Sequence, residues 1–190
     1  MRDELAPLNA LLDQGDLWVF GYGSLIWNPE FPVAERRLAR LEGWSRSFCM
    51  WSYHYRGTID QPGLVLALDR DPEGACEGVA FRVEKGAEAA TLEALRAREL
   101  ISSAYLEASA EVATASGPKR ALLYVVDPNH AQYCGGLTLA EQARIIRTAH
   151  GERGSNTDYL WSTDQHLQDL GISDPDLRWL AAEVRKPEPR

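Results

Sequence analysis

The residues of this 190-residue chain that could carry chemistry are few, and four places concentrate them. The first is Gly21-Tyr22-Gly23-Ser24-Leu25, directly after the apolar run Trp18-Val19-Phe20. Glycines on either side of a Tyr let the backbone turn several N–H groups to one side, a nest that fits a carboxylate or an oxyanion. An ordinary glycine turn is the alternative. The second is Glu99. In the helical pattern over 87–102, Leu92, Leu95 and Glu99 fall on one face at i, i+3, i+7. Burial disfavours the charged form of a carboxyl group, so its pKa is expected to rise, which suits acid–base work near neutral pH. The alternative is an ion pair with Arg96 or Arg98 at the edge of the stripe. The third is Arg56, in the loop Arg56-Gly57-Thr58 between aromatic-rich segments. Its guanidinium can grip a carboxylate as a fork or simply be solvated. The fourth is Asn156 with Tyr159. One turn of helix sets their amide and hydroxyl on the same side, unless Ser155 or Asn156 serves as a helix cap.

Other chemistries lack their residues. His54, His130, His150 and His166 are far apart with no HxxxH or HExxH spacing, so no metal is expected. Position 26 is Ile, which breaks GxGxxG, and no GK[ST] follows, so no nucleotide-phosphate loop is present. No GxSxG elbow occurs, and nothing nominates a base for Ser24 as a nucleophile. Cys49, Cys76 and Cys134 are odd in number and form no CxxC. They read as reduced, structural thiols of a cytoplasmic protein. No cofactor is called for.

Asp and Glu number 28 against 20 Lys and Arg, for a net charge of −8 and no basic cluster. Such a chain cannot neutralise phosphates in number, so neither nucleic acid nor an anionic membrane surface is an expected partner. No run approaches the ~18 apolar residues of a membrane span. The first residues carry acids where a signal peptide needs an apolar core.

The elements that must position these residues read as an α+β pattern in a single domain over 1–190. A helix is expected over 3–14 within an N-terminal segment 1–16, and a frayed tail over 186–190. Trp18–Phe20 is a strand. Residues 33–55 read as strands around Gly43. Leu64–Leu68 and Gly78–Val83 read as strands separated by an Asp71-Pro72-Glu73-Gly74 turn. Helix 87–102 precedes strands Tyr105–Thr114 and Arg120–Val126. Thr138-Leu139-Ala140-Glu141 is a capping-box pattern opening a helix to about His150. A polar loop 151–156 leads to a helix ending near Leu170, and Ser173–Asp176 caps a last one.

Several motifs in order resemble the ChaC family of γ-glutamylcyclotransferases. They are Val19–Pro29 (VFGYGSLIWNP), Arg56-Gly57-Thr58 with Pro62-Gly63-Leu64, Gly78–Arg82, Arg98-Glu99 followed by Tyr105, and Gly154-Ser155-Asn156 with Asp158-Tyr159-Leu160. The likeness covers roughly 17–180. It departs in one place, since many relatives carry Lys after the Arg-Glu pair and this chain has Leu100. The resemblance implies a small closed β-barrel flanked by helices and the cleavage of glutathione, a small-molecule substrate, to 5-oxoproline and cysteinylglycine without a cofactor. It makes Glu99 the catalytic residue and Tyr22, Gly23, Ser24 and Leu25 the substrate-binding loop, with Arg56, Tyr105, Asn156 and Tyr159 as further substrate-binding residues. Other γ-glutamyl amines or amino acids as substrates, or a non-catalytic sensor of a γ-glutamyl ligand, are the competing readings. The oligomeric state is not legible.

Overall fold

The computed structural model describes residues 15–100 and 102–187; the helix expected over 3–14 and the end of the 186–190 tail lie outside them. Contacts group the chain into two compact units that alternate along the sequence. Of the described residues, one holds those up to Arg46 with Ala67–Ala131; the other holds Ser47–Leu66 and those from Gln132 onward.

The first unit is built on a closed barrel in the order β1-β3-β2-β4-β5. Its strands are β1 (Trp18–Gly21), β2 (Val33–Ser52), β3 (Gly63–Val83), β4 (Tyr105–Thr114) and β5 (Lys119–Val126). Strand β1 runs antiparallel to β3, with Phe20 opposite Ala80, and β4 antiparallel to β5, with Ala108 opposite Leu123. A parallel pairing of Val19 with Leu122 brings β5 beside β1 and closes the ring. Alternation along β1 and β5 separates two cores. Trp18, Phe20 and Tyr22 pack with Ala121, Leu123 and Val125 in one cluster. Leu17 and Val19 pack with Leu122 and Tyr124 in the other, which also takes Leu92 and Leu95 of helix α1 (Glu88–Glu99). Both faces of these strands are covered, which is why β5 reads as an unbroken apolar run rather than an alternating one.

Two expected chain reversals are absent. In place of strands over 33–55 there is one strand, β2, from Val33 to Ser52. Within it Gly43 takes φ +78°, a left-handed kink that bends the strand without ending it. Asp71-Pro72-Glu73-Gly74 lies inside β3 rather than in a turn. Pro72 and Glu73 are exposed there, so their turn-like composition reflects solvent. The helix expected over 87–102 ends at Glu99, with Leu100 as its C-cap.

The second unit contains the far ends of β2 and β3, a two-stranded ribbon and three helices. The ribbon, β6 (His150–Gly151) with β7 (Gly154–Ser155), replaces the expected loop. Gly154 at φ +99° makes the tight return possible. Helix α2 (Leu139–Thr148) opens with the full Thr138/Glu141 capping box. Helix α3 (Asn156–Asp169) is capped by Ser155, and α4 (Pro175–Arg185) by Asp174 with Pro in its first turn. Ile146, Leu160, Leu167, Leu177 and Leu180 are buried among them. No helix among the described residues is long and apolar enough to cross a membrane.

Candidate active site

In the first unit, the loop after β1 turns into a short 3₁₀ turn, Ser24–Ile26. The carbonyls of Gly23 and Ser24 accept from Ile26 and Asn28, both at 2.9 Å. The leading N–H groups of such a turn have no acceptor within it. Gly21 is required by packing: a Cβ there would stand 2.8 Å from the Phe81 ring and 3.1 Å from Leu25 Cβ. The loop is anchored from below. The Tyr22 hydroxyl donates to the Tyr124 carbonyl at 2.9 Å, and Arg46 Nη1 donates to the Tyr22 carbonyl at 2.8 Å and the Glu77 carbonyl at 3.0 Å. The side chains of Tyr22 and Leu25 are packed into the two apolar cores.

Glu99 is the last residue of α1. Leu92 and Leu95 are buried as the stripe predicts, but the Glu99 side chain keeps 18% of its surface open to solvent. A neighbouring cation takes part in that difference: Arg98 Nε lies 3.1 Å from Glu99 Oε1. The same guanidinium reaches the loop, with Nη2 donating to Ser24 Oγ at 2.8 Å. Leu100 packs against the apolar cluster of Leu92 and Leu95. Tyr105, at the start of β4, packs against that cluster too.

One turn back on α1, Arg96 grips Glu107 of β4 through Nε and Nη2, at 2.9 Å to each carboxylate oxygen. Glu107 Oε2 also accepts from the Tyr124 hydroxyl at 3.1 Å. Burial, then the negative charges of Glu107 and Glu99, push the Tyr124 phenol well above the usual tyrosine range, so it stays protonated. The sequence pattern gave no notice of Glu107 or Tyr124. Arg46 did leave a signal, as a lone cation inside the aromatic-rich strand around Trp44 and Phe48.

In the second unit, Arg56, Asn156 and Tyr159 come together. Arg56 Nη1 donates to the carbonyls of Arg153 at 2.6 Å and Ser155 at 3.2 Å, and its guanidinium lies 5.1 Å from the centre of the Tyr159 ring. Burial draws its pKa below the usual arginine range, Tyr159 and Asp158 opposing the shift and Arg153 adding to it. Asn156 is fully buried, and its side-chain amide closes on the backbone of Leu64. Oδ1 accepts from Leu64 N at 2.6 Å and Nδ2 donates to Leu64 O at 2.8 Å. The Tyr159 ring meets Phe48 edge to face, centroids 6.0 Å apart. Gly57 and Gly63 permit the close passage of the Arg56 loop, since a Cβ on Gly57 would overlap Gly63 N and one on Gly63 would overlap the Arg56 carbonyl. Beside that loop lies a cleft of about 400 Å³ lined by Tyr53, His54, Thr58, Ile59, His150 and Glu152. Among the described residues no group of His, Cys, Asp and Glu is arranged to hold a metal. Cys49, Cys76 and Cys134 form no disulfide, and the Cys76 thiol donates to the Glu77 carbonyl at 3.7 Å.

The five-stranded closed barrel with its flanking helices has the γ-glutamylcyclotransferase-like fold. A solved glutathione-specific γ-glutamyl cyclotransferase from yeast superposes with a TM-score of 0.80 at 25% identity, over 90% of this chain and 96% of that one. The profile of the ChaC-like protein family matches residues 17–187, and the chain belongs to that family. It is 37% identical to the glutathione-specific γ-glutamylcyclotransferase of Escherichia coli (strain K12), over 95% of this chain and 78% of the relative. It is 33% identical to the enzyme of the same name from Schizosaccharomyces pombe, over 94% and 97% of the two chains. A γ-glutamylcyclotransferase 2-3 of Arabidopsis thaliana is 35% identical over 89% of this chain.

Proposed function

We propose that this protein is a cytoplasmic, glutathione-specific γ-glutamylcyclotransferase. The observation that carries the reading is the placement of the Glu99 carboxylate at the end of α1, tied through Arg98 to the Ser24 hydroxyl of the glycine loop. The substrate's α-ammonium gives a proton to Glu99 and becomes a nucleophile. The freed amine attacks its own γ-carbonyl, closing a five-membered lactam. The attacking nitrogen gives up its second proton as the ring closes, the carbon–nitrogen bond to the cysteinyl residue breaks, and both protons pass by way of Glu99 to the departing amine, which leaves as an ammonium. No water is consumed and no covalent enzyme intermediate forms, so no nucleophilic Ser or Cys is needed. The N–H groups of Gly23 to Leu25 serve the α-carboxylate or the developing oxyanion. The fold's largest contribution is holding amine and carbonyl in contact. Tyr105, Arg56, Asn156 and Tyr159 are proposed to shape substrate binding, Asn156 indirectly, through Leu64.

Incubation with glutathione in the presence of EDTA, followed by mass spectrometry, tests this. Equal amounts of 5-oxoproline and cysteinylglycine are expected, and γ-glutamyl-alanine in a parallel reaction should yield far less 5-oxoproline. Tight glutathione binding without turnover would point to a sensor, and loss of turnover in EDTA would overturn the cofactor-free route.

A further inference from the structure

We propose that Arg98 is the positioning residue of this site, the group that fixes the Glu99 carboxylate relative to the glycine loop. The inference deepens the proposed cyclotransferase reading and rests on it. Arg98 has only 16% of its side chain exposed, and each nitrogen of its guanidinium is engaged. Nε faces Glu99 Oε1 at 3.1 Å. Nη2 donates to Ser24 Oγ at 2.8 Å. Nη1 donates to the Asn28 carbonyl and to Glu30 Oε2, both at 2.9 Å. One planar fork thus joins the end of α1 to residues 68 to 74 positions earlier in the chain.

Three features separate this from an ordinary surface ion pair. Adjacent residues on a helix do not normally face each other, yet Arg98 and Glu99 do. The Arg98 side chain meets Glu99 through Nε and reaches the loop through Nη1 and Nη2. Next, Glu99 stands at the negative end of the helix dipole, a poor place for a carboxylate, and Arg98 supplies the opposing charge there. Finally, Glu30 adopts φ +59°, which a residue with a Cβ rarely does. Its carboxylate is held from both sides, Oε1 by Asn28 Nδ2 at 2.9 Å and Oε2 by Arg98. Strained backbone persists where its surroundings over-determine it, and such positions cluster at functional sites. Here the strained residue presents the carboxylate that orients Arg98.

The consequence is geometric. A general base works only if the proton it takes lies within hydrogen-bond reach, and a displacement of one ångström far from the chemistry can lower the rate by about 10²-fold. An ammonium at position 98 would restore the charge but not a planar fork with several fixed N–H directions.

The test uses purified full-length protein with Arg98→Ala, Arg98→Lys and Glu30→Gly, measuring kcat, KM and melting temperature, with ethylguanidinium added at millimolar concentration. The expected result for Arg98→Ala is a kcat lower by about 10²-fold, KM within about threefold and partial recovery of kcat with ethylguanidinium. Arg98→Lys should recover little. Glu30→Gly relieves the left-handed backbone, so it should melt no lower than wild type while turning over several-fold more slowly. A purely structural Arg98 gives the reverse: melting temperatures fall, kcat per folded molecule holds, and ethylguanidinium changes nothing. That pattern overturns the inference, as does wild-type kcat in both Arg98→Ala and Glu30→Gly. Should Arg98→Ala fail to fold, Arg98→Lys and Glu30→Gly decide by the same criteria. Wild-type protein inert on glutathione overturns the cyclotransferase reading itself, whereas an active wild type with equally active variants overturns only the role of Arg98.

Discussion

Glu99→Gln isolates proton transfer from packing. Gln nearly matches Glu in shape and hydrogen bonding, and Leu92 and Leu95, not residue 99, bury α1. The amide cannot take a proton from the substrate ammonium, so kcat should fall by about 10²–10⁴-fold, with little change in melting temperature or glutathione affinity. Kinetics, calorimetry and a melt on one preparation check all three. Asn156→Ala should behave the opposite way. It removes two buried hydrogen bonds to the Leu64 backbone, at a cost of about 3 kcal/mol. Urea unfolding should show that loss. These two residues were both legible as candidates, but for different reasons. Glu99 announced itself as a carboxylate on an apolar stripe. Asn156 announced only its helix turn; its clamp on a residue 92 positions away could not be read from local spacing.

Among the elements, the helix starts were the most legible, because a cap is decided by residues within four positions of one another. The Thr138/Glu141 box is complete, with Thr138 Oγ1 accepting from Glu141 N and Glu141 Oε2 accepting from Thr138 N at 2.8 Å. Thr138→Ala should lower stability by about 1 kcal/mol without altering kcat, measured by urea unfolding and steady-state kinetics. The strands were less legible. Local turn residues at 71–74 pointed to a reversal, but the barrel pairing carries β3 straight through them. Strand continuity depends on partners supplied from elsewhere in the chain, which turn propensity does not report.

At the scale of the whole molecule, alkaline stability should follow Tyr124. Its phenol is driven up by burial and by Glu107 and Glu99, while in the unfolded chain it titrates near 10.0. Above that pH the unfolded state releases a proton that the folded state retains. The unfolded state then binds fewer protons, and stability falls as pH rises, by up to about 1.4 kcal/mol per pH unit. Below pH 10 the contribution is fully present. Urea unfolding between pH 9 and about 11.5 should therefore show a steeper loss in wild type than in Tyr124→Phe, which has no phenol to ionise. Identical slopes would mean that Tyr124 ionises as easily folded as unfolded.

What the sequence determined by itself was local: the glycine loop after β1, the helix that carries Glu99, the caps, and the apolar runs that become buried strands. Backbone sterics and the helical and strand periods act between near neighbours, so they are written in consecutive residues. The tertiary structure decided which distant groups meet. The fork of Arg98 onto Ser24, Asn28 and Glu30, the reach of Tyr22 to the Tyr124 carbonyl 102 residues away, and the closing of Asn156 on Leu64 all follow from strand register and the packing of buried faces. A polar side chain carries no mark of its partner; the partner is fixed only when burial of the apolar faces sets which backbones lie side by side, and each buried polar group must then be satisfied where it stands.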